Sequence, residues 1–296
     1  MFDMKLVIHM GLHKTASSSF QNFLNLNRNV LLDAGVLYPE IEEHAGHWLI
    51  PYEILRNNWG FLEDYMKNTL SVAKQRNVKT VLISAEDFET LLLEGFRAAQ
   101  FEKLACQLGY SEIHWICVLR NQWDYFNSLY AEKSKHTVCL NYLQAGEAVC
   151  NFGEISMAVG GFRWRFAFDY DSIIERFIAD VRGSFDAISY DSFIGSRIVG
   201  AELIDKVIDY EPAIEVFWKF CANLVEKANI REDKTQVEMN YLANYFGIEP
   251  TEDNFSNNKN IFAPLLQNRL NHIDLVTEDL HNRFMERFPQ ISNRLK

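Results

Sequence analysis

Lys14, Thr15, Ser17, Ser18 and Ser19 place one cation and four hydroxyls within six residues of the stretch LVIHMGLHKTASSSFQNFL (Leu6–Leu24). An apolar, β-branched run precedes them, and apolar residues at helical spacing follow. A strand that feeds a short glycine-containing loop and then a helix is a device for holding an anion. Free backbone N–H groups at the helix start point outward, and the helix dipole favours negative charge there. Gly11 lets the backbone approach closely, and Lys14 adds a full charge. Thr15, Ser17, Ser18 and Ser19 offer hydroxyl donors to phosphate or sulfate. His13 sits inside the same loop, either as a further charge or as an idle surface ring. Ser17 or Ser18 is expected to cap the helix.

The loop does not follow the nucleoside-triphosphate pattern G-x-x-x-x-G-K-S/T. Gly11 lies only three positions before Lys14, and His13 rather than glycine precedes the lysine. HMGLHKTASSSFQ instead resembles the 5′-phosphosulfate loop of sulfotransferases that use 3′-phosphoadenosine 5′-phosphosulfate (PAPS). It is most similar to the bacterial pattern H-x-G-x-x-K-T-G-T-T-S-x-Q. Ala16 replaces the usual glycine, which requires a negative φ at that position. A second stretch, VLRNQWDYFNSLY, resembles the family's 3′-phosphate pattern R-N/D-P-x-D-x-x-x-S-x-Y at Arg120, Asn121, Asp124, Ser128 and Tyr130, with Gln122 in place of proline. The guanidinium of Arg120 is a planar fork of donors suited to phosphate, although a strand-end arginine paired with Asp124 is the simpler reading of that stretch alone. ISYDSF resembles a strand-end motif near the adenine, which implies a base contact for Tyr190. The late G-x-x-G-x-W loop of cytosolic members is not visible here.

The resemblance implies Gly11, His13, Lys14, Thr15, Ala16, Ser17, Ser18, Ser19, Arg120, Ser128 and Tyr190 as residues that bind PAPS, or its product adenosine 3′,5′-bisphosphate. It implies transfer of a sulfuryl group to a hydroxyl or amine of a carbohydrate or small metabolite, with no metal. Lys14 would hold charge on the transferring group. The proton acceptor expected from the resemblance is Glu86, at the end of a strand in VLISAEDF, with Asp87 ranked behind it as an alternative helix cap. His47 is the reserve base. His9, His13, His44 and His47 share no helical face that would favour a metal site. Of the six tryptophans, Trp48, Trp59, Trp123, Trp164 and Trp218 could stack on sugar rings, but most read as core residues.

Strands are expected at Lys5–Met10, Lys79–Ser84 and Glu112–Arg120, and a strand and turn at Asp186–Phe193. Helices are expected between them, at about 61–74, 87–93, 96–108 and through Ser128 to Lys133. GVLYP at 35–39 reads as turn, short strand and stop, and 166–181 turns helical in its second half. Alternating strands and helices predict an α/β three-layer sandwich, a central parallel sheet flanked by helices and P-loop-like in form. One domain over 1–296 is expected, with helix-rich additions from about 200 and a flexible loop at Thr251–Asn260.

Composition fits that class. Among 296 residues, 48% are hydrophobic and 14% aromatic, as in a packed core. The net charge of −11 excludes a broad nucleic-acid footprint but leaves room for a small basic pocket. Five cysteines, an odd number without C-x-x-C spacing, read as reduced thiols of a cytoplasmic protein. No segment reaches the ~20 apolar residues of a membrane span. Two competing functions remain open: a P-loop nucleotide kinase with a degenerate loop, and a non-catalytic phosphoadenosine-binding protein.

Overall fold

The computed structural model describes residues 3–41, 44–135, 141–159, 162–195, 198–208, 210–221, 233–248, 254 and 259–288. Along the chain run β1 (Lys5–Gly11), α1 (Ser17–Leu26), α2 (Arg28–Asp33), β2 (Val36–Leu37), α3 (Leu49–Leu55), α4 (Trp59–Gln75) and β3 (Thr80–Ala85). A 3-10 turn (Glu86–Phe88) leads into α5 (Glu89–Leu93), α6 (Gly95–Leu108), β4 (Glu112–Leu119), α7 (Gln122–Lys133) and α8 (Tyr142–Phe152). The rest comprises β5 (Glu154–Val159), β6 (Phe162–Ala167), α9 (Tyr170–Asp180), β7 (Ser184–Ser189), α10 (Tyr190–Gly195), α11 (Ala201–Val207), α12 (Glu211–Phe220), α13 (Lys234–Tyr245) and α14 (Lys259–Arg287). These elements fall into two compact units. One holds the described residues of 1–120 and 170–228, the other those of 121–169 and 229–291.

The first unit is built on a five-stranded, all-parallel sheet in the order β2-β3-β1-β4-β7. Its central strands are mostly apolar and almost wholly buried, His9 and Ser84 included, because both faces are covered. Val7, Leu82, Ile116, Val118 and Ile188 share one face and pack on Phe20, Leu31, Phe193, Leu203 and Phe217, from α1, α2, α10, α11 and α12. Alternation turns Trp115 to the opposite face, where it meets Phe177 of α9 and Phe88 edge-on. The expected three-layer α/β sandwich is therefore present.

Strand register fixes which loops meet. Gly11 at the end of β1 pairs with Val118 near the end of β4, and Met10 pairs with Ala85 at the end of β3. The chain leaves β1 toward one edge of the sheet, through β2, and leaves its neighbour β4 toward the other edge, to β7. Open parallel sheets bind ligands at such a switch point, beyond the carboxyl ends of the strands.

The second unit has its own core. Trp123 and Phe126 of α7, Tyr142 of α8 and Phe284 of α14 form an aromatic cluster with Phe168. Buried Glu238 of α13 accepts from the Tyr130 hydroxyl (3.2 Å) and from Arg269 (2.8 Å), whose guanidinium lies 3.7 Å from the Tyr241 ring centre. β5 and β6 form a separate antiparallel pair.

The expected strands and most helices stand where the sequence put them. Not anticipated were α3, α8, the β5–β6 pair and α10, which stands where a turn was expected. Apart from Asn254 and the first residues of α14, the expected loop Thr251–Asn260 lies outside the described residues, as does Cys139. The four described cysteines are free. Among the described residues no helix is long and apolar enough to cross a membrane.

One buried carboxylate ties three elements of the first unit together. Glu102 of α6 accepts from Trp115 Nε1 (2.7 Å) and from the backbone N–H groups of Arg182 (2.7 Å) and Gly183 (3.0 Å). Hydrogen bonds to a charged group contribute about 1.5–3 kcal/mol each, and orphaned buried donors cost more. Glu102→Ala should lower unfolding stability by about 3 kcal/mol or more, with Glu102→Gln recovering part of the loss. Urea denaturation followed by tryptophan fluorescence reads this out, and an unchanged midpoint would refute it.

Candidate functional site

Four predicted positions arrive at one edge of the sheet because each follows the carboxyl end of a strand. The loop of residues 12–16 follows β1, Glu86 follows β3, Arg120 follows β4 and Tyr190 follows β7. Arg120 links three of them. Its Nη1 donates to the Lys14 carbonyl oxygen (2.7 Å), and its guanidinium carbon lies 4.6 Å from the centre of the Tyr190 ring, a cation–π geometry. The Tyr170 hydroxyl donates to the Arg120 carbonyl (2.9 Å) and fixes the strand end. Arg120 Nε is buried and finds no acceptor among the described residues. Ser128 is half-buried on α7 and belongs to the second unit. There Asn121 accepts from the N–H groups of Trp123 and Asp124 and caps that helix.

The loop has a tighter backbone than the sequence suggests. Lys14 (φ 63°) and Ala16 (φ 64°) both adopt the left-handed conformation, which corrects the expectation of a negative φ at Ala16. A side chain there costs about 1–2 kcal/mol. Ala16, not Ser17 or Ser18, occupies the position before α1, and its side chain makes no cap to the helix among the described residues. The first N–H groups of α1 thus remain available, as an anion requires. A Cβ at Gly11 would fall 2.0 Å from Ser17 Oγ, so a side chain there requires Ser17 to move.

The hydroxyls divide. Thr15 Oγ1 donates to the Leu12 carbonyl (2.5 Å) and lies 3.3 Å from Ser17 Oγ, so its one proton serves the loop itself. Ser17 is buried beneath the loop, whereas Ser18 is exposed and Ser19 half-buried. Of the four expected hydroxyl donors, Ser18 and Ser19 face neither of these internal bonds.

His47 is not placed to act as a base. It is 1% exposed, its Nδ1 accepts from the Ser84 N–H (3.1 Å), and Nε2–H therefore donates to the Pro39 carbonyl (2.9 Å). With both ring nitrogens occupied, it braces the segment before α3 against β3. Burial lowers its pKa to about 4. His9, fully buried between Phe20 and Phe193, shares a hydrogen bond with Ser84 Oγ (2.8 Å), and burial brings its pKa to about 3.

The residue that sequence reasoning missed is Glu89. Wholly buried in the first turn of α5, it accepts from both the backbone N–H and the ring Nδ1 of His13, each at 3.0 Å. Its only sequence signal is a third acid after β3, three positions beyond Glu86, and an acidic first turn needs no special role. Asp87 does not cap α5, since the position before that helix is Phe88 and no side chain caps it. Its Oδ1 lies 3.8 Å from His13 Nε2. Glu86 is half-buried and acts on the same ring electrostatically. Among the described residues no group of three or more His, Cys, Asp or Glu side chains is arranged to hold a metal ion. No protein-family model matches the chain, and no curated protein matches it in sequence.

Two outcomes follow from these geometries. Ala16→Gly removes the left-handed penalty and should raise stability by about 1 kcal/mol in chemical denaturation; a loss of stability would contradict the φ assigned here. Protons favour the unfolded chain wherever a buried histidine has a folded pKa below its ordinary 6.5. Stability should therefore fall as pH drops from about 6.5 toward about 4, with His47 contributing. His47→Gln should flatten that acid limb, and parallel limbs for the two proteins would rule the contribution out.

Proposed function

We propose that this protein is a PAPS-dependent sulfotransferase acting on a hydroxyl or amine, most simply of a carbohydrate or small metabolite. The observation that carries the reading is the junction of an uncapped helix start, Lys14 and Arg120 at the β1–β4 switch point. These groups are cationic or donors, as the two anionic ends of such a nucleotide require. The buried Nε of Arg120, which finds no acceptor among the described residues, fits a phosphate oxygen. The sequence resemblance supplies the identity of the nucleotide.

The bound nucleotide supplies the sulfuryl group. Lys14 and the N–H groups opening α1 hold its charge, and stabilisation of this kind is the dominant contribution to group transfer at phosphorus or sulfur. Arg120 fixes the loop through the Lys14 carbonyl and offers its remaining donors to phosphate. Tyr190, stacked on that guanidinium, offers a ring face to the base. Glu86, just past β3, is the acceptor for the proton of the attacking group. His47, with both nitrogens engaged, has no part in that step.

Calorimetric titration with adenosine 3′,5′-bisphosphate, beside Mg-ATP, tests the reading. The bisphosphate should bind, and Lys14→Ala or Arg120→Ala should each weaken it about 10–100-fold, the equivalent of one or two charge-assisted hydrogen bonds. Glu86→Gln should keep binding and lose sulfuryl transfer. A preference for Mg-ATP would overturn the assignment.

A further inference from the structure

His13 and Glu89 are seventy-six positions apart in sequence, yet form the most buried ion pair beside the loop. Glu89 is 0% exposed and His13 8%. Burying a carboxylate is costly unless a partner compensates it. Here one oxygen, Oε2, takes both the backbone N–H and the ring Nδ1–H of the same residue. That double engagement fixes the backbone just before Lys14 and the ring's rotation together.

The groups that face His13 come from every element around it. Lys14 adjoins it in the loop. Glu86 and Asp87 come from the 3-10 turn, and Glu89 from α5. Behind Glu89 lie Cys117 of β4 and Tyr170 of α9, both pushed upward chiefly by burial and therefore neutral. Arg120 is tied in through the Lys14 carbonyl and the Tyr170 hydroxyl. Burial pulls the His13 pKa down, but Glu86, Glu89 and Asp87 together outweigh it, and the net direction is upward from 6.5.

We propose that Glu89 is the positioning residue of the anion loop: it holds His13 as an imidazolium, and this second cation beside Lys14 makes anion binding depend on a proton. The inference rests on the reading that the loop takes the anionic end of a nucleotide, and it assigns a proton-linked control to that site. The carboxylates that favour the imidazolium also oppose an incoming anion, so a neutral His13 removes one positive charge from beside Glu86, Asp87 and Glu89.

Two probes are titrated calorimetrically from pH 6.5 to 9: adenosine 3′,5′-bisphosphate, and inorganic sulfate, whose charge is constant over that range. Wild-type affinity for both should fall about tenfold as His13 loses its proton, within the range typical of site–site coupling. Binding near the midpoint should take up a proton, seen as a heat that varies with the buffer's ionisation enthalpy. His13→Gln keeps a donor without a titrating ring, so it should bind at the alkaline level throughout and lose the slope. Glu89→Gln keeps the shape but not the charge, and should move the midpoint to lower pH. Histidine NMR titration should show the same shift.

Equal slopes in wild type and His13→Gln overturn the proposal while leaving the nucleotide reading intact. Sulfate binding that is proton-linked, with no bisphosphate binding at any pH, overturns the nucleotide reading and keeps the proposal. No binding of either probe sinks both.

Discussion

The loop between β1 and α1 is held in a backbone conformation that it would not choose. Lys14 and Ala16 both stand in the left-handed region, at about 1–2 kcal/mol each. Three hydrogen bonds offset this: His13 N–H to Glu89, Arg120 to the Lys14 carbonyl, and Thr15 to the Leu12 carbonyl. Two involve a full charge and contribute about 1.5–3 kcal/mol each, enough to exceed the strain. The clamp therefore grips the backbone on both sides of Lys14, and the direction of the lysine and of the first α1 N–H groups follows from it.

The clamp depends in turn on the sheet. Glu89 and Arg120 lie 76 and 106 positions from their partners and reach the loop only because β3 and β4 flank β1 in parallel register. A slip of one residue in either pairing would turn every side chain of that strand to the other face. Burial on both faces forbids it, with Trp115 against Phe177 on one side and Ile116 in the opposite apolar layer. The apolar core thus sets the geometry of the charged groups at the strand ends.

This division explains what could be read in the sequence. The strands, the glycine, the lysine and the strand-end positions of Glu86 and Arg120 are local signals: apolar runs, a breaker, and a polar residue just beyond. Glu89 is not local. Nothing around it distinguishes a buried ligand of His13 from an ordinary acid opening a helix. The same holds for His47, whose fate was decided by Ser84 and Pro39 meeting its two nitrogens. Ala16 carried a misleading signal, since alanine ordinarily argues for negative φ. The β5–β6 pair was missed although Gly160-Gly161 between FGEISMAV and FRWRFAF is a hairpin cue. Most elements defined by neighbours in sequence were legible, α3, α8, α10 and the β5–β6 pair excepted, and contacts made across the sheet were not.

Among the described residues, His9, His13 and His47 are buried. His9, His13 and His47 all lose solvation, and by burial alone all three would be neutral. His9 lies among phenylalanines and His47 between a backbone N–H and a carbonyl, so both follow that rule. His13 breaks it because carboxylates lie 3.0 and 3.8 Å from its ring nitrogens. The chain as a whole carries −11, but salt screens charges beyond about 8 Å. An anion at the loop therefore responds chiefly to the acids of one turn and one helix start. A protonated His13, adjacent to Lys14 and bonded to the most buried of those acids, offsets them where an approaching anion would meet them. Under the proposed reading, this pair of His13 in the loop after β1 and Glu89 of α5 is what would let so acidic a chain keep a local site for negative charge.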